Sequence, residues 1–288
     1  MRSAAQRLSP PASPFLKWVG GKGGLLGQLA PHLAPLVAPG RDYHEPFLGG
    51  GAVFFELSPL VEARGGRAFL GDTNADLVNV WQTVQREVDT LVQALRSPVL
   101  RYEERAYYAI REAVPSGAVE RAARFVYLNK CGYNGLYRVN SKGGFNVPFG
   151  RYVKPNICDQ ETLRAASAAL QRATLSVEGF EASARARPGD LVYFDPPYDP
   201  LTATANFTSY TKKGFTQADQ RRLCEHAASL RDRGVNVALS NSRTSFIEEL
   251  YAGAGFELVT VRARRAINSR AAARGAIDEL LALGKARR

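Results

Sequence analysis

Four apolar residues in succession, Leu191-Val192-Tyr193-Phe194, run directly into Asp195-Pro196-Pro197-Tyr198. The run reads as a buried strand, and the two prolines end it, since each fixes φ and lacks the amide N–H that a sheet ladder needs. Around this junction strands and helices alternate, the pattern of an α/β fold. Residues 40–47 lead into Gly49-Gly50-Gly51 and then into a helical stretch from Ala52 to Leu57. Arg67-Ala68-Phe69-Leu70 reads as a second strand ending at Gly71-Asp72, and Val235 to Leu239 as another. The stretch from Thr216 to Asp232 reads as a helix with Thr216 as its N-cap. Leu258 to Ile267 and Ala276 to Leu283 read as a closing antiparallel pair joined by a basic loop.

The middle of the chain breaks this rhythm. Val84 to Arg124 is helical and charged, whereas Asn129 to Tyr152 is crowded with Gly, Asn, aromatic and basic residues. An insertion fits that shift. The expected division is a disordered tail at residues 1–14, a core built from residues 15–84 and 176–288, and an insert at residues 85–175.

Charge bounds the partners. Lys+Arg 38 against Asp+Glu 27 gives a formal net charge of +11, which favours a polyanion and predicts binding that weakens with salt. A solvated basic surface has the same composition. Cys131, Cys158 and Cys224 are scattered and odd in number, so neither a disulfide framework nor a zinc site is suggested. Free thiols fit a reducing cytoplasm. His32, His44 and His226 lack metal-ligand spacing, no metal is expected, and no apolar run approaches a membrane span.

The tetrapeptide carries chemistry as well as a stop signal. An aromatic amino group such as adenine N6 is a poor nucleophile, because its lone pair is delocalised into the ring. The Asp195 carboxylate and the Pro196 carbonyl can each accept one of its hydrogens, favouring a pyramidal nitrogen whose lone pair faces an incoming methyl. A fixed negative charge there also stabilises the nitrogen as it becomes cationic. Tyr198 offers a flat face on which a base can stack. Asp-Pro-Pro-Tyr is equally what a plain turn after a buried strand looks like.

The glycine cluster is the second chemical signal. A strand running through a glycine-rich turn into a helix lets the backbone approach a ligand closely, and an acid about twenty positions on can bind ribose hydroxyls. Asp72 stands at that spacing. Glu45-Pro46-Phe47-Leu48-Gly49-Gly50-Gly51 lacks the full dinucleotide fingerprint, so S-adenosylmethionine fits better than a nicotinamide or flavin cofactor. Glycine turn, Asp72 and Asp195 would all face the carboxyl edge of one sheet.

These stretches together resemble the Dam-type, alpha-group DNA adenine-N6 methyltransferases, from about Phe15 to the end of the chain. The matching segments are Phe15-Leu16-Lys17-Trp18-Val19-Gly20-Gly21-Lys22, Glu45 to Gly51, Gly132-Tyr133-Asn134-Gly135-Leu136-Tyr137-Arg138, Phe145 to Tyr152, Asp195 to Tyr198, and Thr202-Ala203-Thr204-Ala205-Asn206-Phe207-Thr208. They occur in the family's order. The resemblance implies a Rossmann-like methyltransferase sheet with a mainly helical target-recognition insertion carrying a β-hairpin.

The resemblance also implies site residues. Asp195, Pro196, Pro197 and Tyr198 would be catalytic. Trp18, Lys22, Phe47, Gly49, Gly51, Asp72 and Asp195 would line the S-adenosylmethionine pocket, with Lys22 at the donor's carboxylate end and Asp72 on its ribose. Lys17 and Arg138 match residues that contact guanines, and bidentate Arg to guanine is the commonest specific base contact. Leu136 and Pro148 match apolar residues set against thymine methyls. Tyr133 and Asn134 match the pair that fills the hole and meets the orphan thymine when adenine leaves the stack, since N6 is occupied inside a duplex. The implied target is GATC in double-stranded DNA, read by a monomer associated with the nucleoid.

Arg262, Arg264, Arg265, Arg270 and Arg274 form a basic cluster suited to phosphates. The chain departs from the family at Asn268 to Gly275, where a more glycine- and lysine-rich loop is usual, and at Asn241-Ser242-Arg243. Two other readings stay open at this point. One is methylation of RNA adenine or of cytosine N4, whose enzymes usually carry Asn or Ser in place of Asp195. The other is a catalytically silent DNA-binding protein of the same fold.

Overall fold

The computed structural model describes residues 11–201, 215–264 and 276–285. The segment Thr202 to Thr208, most of the tail, the loop Asn268 to Gly275 and the arginines Arg265, Arg270 and Arg274 lie outside the described residues.

The apolar run becomes β4 (Leu191–Phe194), fourth of seven strands in one sheet. The others are β1 (Tyr43–Glu45), β2 (Ala68–Asp72), β3 (Ala173–Val177), β5 (Asn236–Ser242), β6 (Glu257–Arg264) and β7 (Ala276–Gly284). Their order is β3-β2-β1-β4-β5-β7-β6. Strands β1 to β5 run parallel, and β7 is antiparallel to both β5 and β6.

Each face of β4 is covered, which is why its sequence shows no polar alternation. Leu191 and Tyr193 join one core with Tyr43, Ala238 and Trp81. Val192 and Phe194 join another with Val237, Leu239, Leu223 and Ile247. The described α-helices are α1 (Leu26–Leu33), α2 (Ala52–Ala63), α3 (Ala75–Arg86), α4 (Val88–Leu95), α5 (Glu104–Glu112), α6 (Ala118–Cys131), α7 (Gln160–Ala169), α8 (Gln217–Asp232) and α9 (Ser245–Gly253). Thr216 caps α8 through a reciprocal box with Asp219, as its sequence predicts.

Strand β3 has no counterpart among the strands read from the sequence. It is an edge strand, and only Leu175 among its five residues is fully buried, so its apolar signal is faint.

The middle of the chain divides by packing. Leu91, Val92 and Leu95 of α4 and Leu163 of α7 belong to the main core beside Trp81. Tyr107 and Ile110 of α5 form a separate cluster with Tyr127, Leu128 and Cys131 of α6, and Phe145 and Phe149 pack onto it. Several aromatics that make this segment conspicuous in sequence therefore serve a local core. The chain from Gly132 to Phe149 doubles back on itself and is closed by two isolated antiparallel bridges, Gly132 to Phe149 and Val139 to Phe145. Among the described residues no helix is long and apolar enough to cross a membrane.

The topology creates one privileged crevice. From β1 the chain goes to β2 on one side, while β4 lies on the other, so loops leaving β1 and β4 diverge at their carboxyl ends. Open α/β sheets bind ligands at such a switch point. The glycine turn leaves β1 there, and Asp195 leaves β4 there.

Candidate active site

The loop after β4 is gripped from behind at successive positions. Gln220 Nε2 donates to the Pro197 carbonyl at 2.9 Å, and Asp199 N donates to Asn241 Oδ1 at 3.0 Å. Asn241 Nδ2 donates in turn to Gln220 Oε1 at 3.0 Å and to Tyr251 Oη at 3.2 Å. Both amides are buried, where a satisfied polar network holds a single geometry. Tyr198 Oη donates to Glu279 Oε2 on β7 at 2.8 Å, which fixes the ring.

Asp195 faces a different neighbour. Lys22 Nζ lies 2.7 Å from Asp195 Oδ1, also donates to the Gly20 carbonyl at 2.7 Å, and stands 4.7 Å from the centre of the Tyr198 ring. The ion pair is close, and among the described residues Oδ1 is buried with no hydrogen bond of ordinary geometry. Burial pushes the Asp195 carboxyl above its usual range, and the Lys22 charge pulls it back. A buried acceptor lacking an aligned donor fits an incoming amine.

Glu45, at the end of β1, lies in the same crevice and was not read as a site residue from the sequence. Its Oε2 accepts from Tyr43 Oη at 2.7 Å. Burial pushes its carboxyl up to about 8, the Tyr43 hydrogen bond opposes this, Asp195 adds to it, and Lys22 also opposes it. The folded value lies above the ordinary one of 4.5, so Glu45 stabilises the fold fully below about 4.5 and loses that contribution as pH rises towards 8. Glu45→Gln keeps a neutral side chain at every pH. The unfolding temperature of the variant should therefore fall less steeply than that of the parent across this interval; parallel curves from scanning calorimetry would refute the assignment.

The glycine turn is shaped by two tryptophans. Gly49 and Gly51 have φ of +48° and +68°, a region costly for residues with a Cβ. A Cβ on Gly49 would come within 2.8 Å of the Trp18 ring, and one on Gly51 within 2.6 Å of Trp81. Trp81 Nε1 donates to the Gly49 carbonyl at 3.2 Å from below. Asp72 ties the end of β2 to the same turn, accepting from Gly49 N at 3.1 Å and Asn74 N at 2.9 Å. Burial raises its carboxyl, and these amide donors oppose the rise.

Aromatic faces complete the crevice. Phe47 stacks on Phe180 at 6.0 Å between ring centres, and Phe180 enters only because β3 delivers the following loop to this edge. Trp18 stacks on Tyr137 at 5.8 Å and on Phe125 at 6.3 Å. Carboxylate, glycine cradle and flat rings together suit a nucleoside-bearing ligand. Among the described residues no cluster of His, Cys, Asp or Glu could hold a metal ion.

Of the remaining sequence candidates, those for DNA contact, all but Leu136 are exposed. Lys17 is exposed, with Nζ 4.1 Å from the centre of the Tyr152 ring. Tyr133 is 52% exposed, and its amide donates to the Pro148 carbonyl at 2.9 Å. Arg138 is exposed and braced by Asn146, Nε donating to Oδ1 at 2.7 Å. Pro148 is exposed and Leu136 half-buried. Asn134 has φ of +54°, the one positive value at a non-glycine among the described residues. Trp18 is the joint between the two regions, packed on the glycines and stacked on Tyr137.

Sequence reasoning missed Glu45, Gln220, Asn241 and Glu279. Glu45 had a usable signal, since it ends a strand as Asp72 does. Gln220 and Glu279 lie inside elements and carry none, while Asn241 stood in a segment compared with the family but was given no role.

The profile of the D12 class N6 adenine-specific DNA methyltransferases matches residues 18–267. The chain is 41% identical to a DNA adenine methylase of Escherichia coli over 94% of this chain and 95% of that protein. It is 39% identical to a type II methyltransferase of Lactococcus lactis subsp. cremoris, over 93% and 94% of the two chains. A type II methyltransferase of Methanocaldococcus jannaschii is 40% identical, over 88% and 92%.

Proposed function

Since this chain belongs to the family of D12 class N6 adenine-specific DNA methyltransferases, we propose that it transfers the methyl group of S-adenosylmethionine to adenine N6 in double-stranded GATC, with the target base flipped out. The observation that carries the chemistry is the buried Asp195 Oδ1, which has a charge partner in Lys22 and, among the described residues, no hydrogen bond of ordinary geometry. S-adenosylmethionine supplies an activated methyl for direct displacement. The chain supplies position and charge. Asp195 accepts one N6 hydrogen, the Pro196 carbonyl the other, and Tyr198 stacks on the base. As the nitrogen becomes cationic, the carboxylate stabilises it more than it stabilised the neutral amine.

Donor binding falls to Trp18, Lys22, Phe47, Gly49, Gly51 and Asp72, and recognition to Lys17, Tyr133, Asn134, Leu136, Arg138 and Pro148. Residues 85–175 act as the target-recognition insert, and residues 15–84 with 176–288 as the methyl-transfer core. Flipping is required by the substrate, because a duplex buries N6 in its base pair.

Expression in cells lacking adenine methylation should make their DNA resistant to nucleases that cut only unmethylated GATC. DNA that stays sensitive would overturn the target. On singly substituted duplexes, Arg138→Ala should relax selection at one guanine by about 1–3 kcal/mol. An unchanged preference would reject that residue's assignment.

A further inference from the structure

Asn129 lies near the end of α6, only 2% exposed, and a buried amide must find partners for its donors and acceptor. It finds them on two separate segments. Asn129 Oδ1 accepts from Lys17 N at 2.9 Å, while its Nδ2 donates to the Lys17 carbonyl at 2.7 Å and to the Gly135 carbonyl at 3.1 Å. One side chain thus pairs both backbone groups of Lys17, as a neighbouring strand would, and holds the turn that carries Tyr133 and Asn134.

The surroundings show why such an anchor matters. A Cβ on Gly135 would come within 2.5 Å of Lys17 Cβ, so the two segments are in direct contact. Asn134, at φ +54°, holds a left-handed conformation that Asn tolerates and most other residues with a Cβ do not. The bond to Gly135 fixes the next residue. Tyr152, which carries Lys17 Nζ on its ring, donates its hydroxyl to the Gly132 carbonyl at 3.1 Å and closes the cage from the other side.

We propose that Asn129 is a specificity-positioning residue whose amide locks Lys17 and the Tyr133-Asn134 turn into one unit, so that both approach the DNA in a fixed relation. The inference rests on the reading of Lys17 and this turn as DNA contacts. Asn129 itself touches no base. Asp at this position would lack both donors, and Ala would leave three backbone groups unpaired.

The test is a double-mutant cycle on duplexes substituted singly at each target position. Lys17→Ala in the parent enzyme first identifies the base pair that Lys17 reads. Asn129→Ala should lower discrimination at that pair by about tenfold or more, with turnover at saturating target duplex changed little. In the Asn129→Ala background, adding Lys17→Ala should cost almost nothing further, because the lysine is already out of position. Additive effects in the cycle would overturn the clamp and leave the DNA reading standing. If Lys17→Ala relaxes no position, the DNA reading of Lys17 fails and the clamp falls with it. Should Asn129→Ala not fold, Asn129→Asp, equal in shape but without the amide donors, takes its place in the cycle: non-additive loss of discrimination supports the clamp, and additive effects overturn it.

Discussion

Asp195→Ala is expected to abolish methyl transfer while duplex binding survives. The carboxylate has two duties at the reacting nitrogen, accepting one hydrogen and opposing the positive charge that develops. Removing a single preorganised electrostatic group from an active site costs about 100- to 1000-fold in turnover, and Asp195→Ala removes orientation as well. Residues assigned to DNA, among them Lys17, Tyr133 and Arg138, are exposed and separate from Asp195 in the chain, so affinity for duplex should change little. Asp195→Asn separates the two duties: it keeps an acceptor oxygen and loses the charge, so its rate should fall between alanine and the parent. Single-turnover rates with labelled donor and a parallel binding titration give both readings. Transfer by the alanine variant within about tenfold of the parent would sink the mechanism.

Lys22→Met is expected to move the acid limb of the pH–rate profile upward and to weaken the fold. Lys22 is only 4% exposed, pairs with Asp195 and also draws down the carboxyl of Glu45. Breaking a buried pair by deleting one partner costs about 3–5 kcal/mol when the other stays charged. Asp195 can escape part of that cost by taking up a proton. Burial already raises its carboxyl and Lys22 is the main opposing influence, so removal of Lys22 raises it further. Catalysis needs the carboxylate, hence activity should disappear at a higher pH than in the parent as the solution is acidified. The stability sign is opposite. A carboxyl raised in the folded state favours the fold at low pH and loses that contribution as pH rises through its folded value, so the variant should lose stability with rising pH more than the parent. An unmoved acid limb, with only a weaker affinity for S-adenosylmethionine, would place Lys22 at the donor's carboxylate and refute its action on Asp195.

Lys22 illustrates how far the chain could be read unaided. Its motif was legible, and the sequence likeness gave it to the methyl donor. Its distance of 2.7 Å from Asp195 depends on where the amino-terminal segment lies against the end of β4, which no local pattern encodes. The same holds for Asn129, whose partner Lys17 stands 112 residues away. Strand β3 was hidden for another reason: at the sheet edge it needs few apolar residues, and with it went Phe180, the ring beneath Phe47.

Local covalent rules and periodicity settled a great deal. An unbroken apolar tetrad ended by two prolines had to be a buried strand with a fixed loop. A glycine cluster after a strand, with an acid about twenty residues later, pointed to a turn whose backbone a ligand can approach closely. Those features follow from φ, sterics and alternation within short windows, so the α/β class was legible in the sequence itself, which also singled out Asp195, Tyr198 and Asp72 as candidates. Only the tertiary structure decided which charges meet and which backbone atoms are held: Lys22 on Asp195, Glu45 beside them, Gln220 and Asn241 behind the loop, Glu279 on Tyr198. The physical reason is strand order. Side chains far apart in the chain meet because β1 and β4 are neighbours and β7 folds back beside β5, and hydrogen bonds and ion pairs act only over a few ångströms once that packing is made.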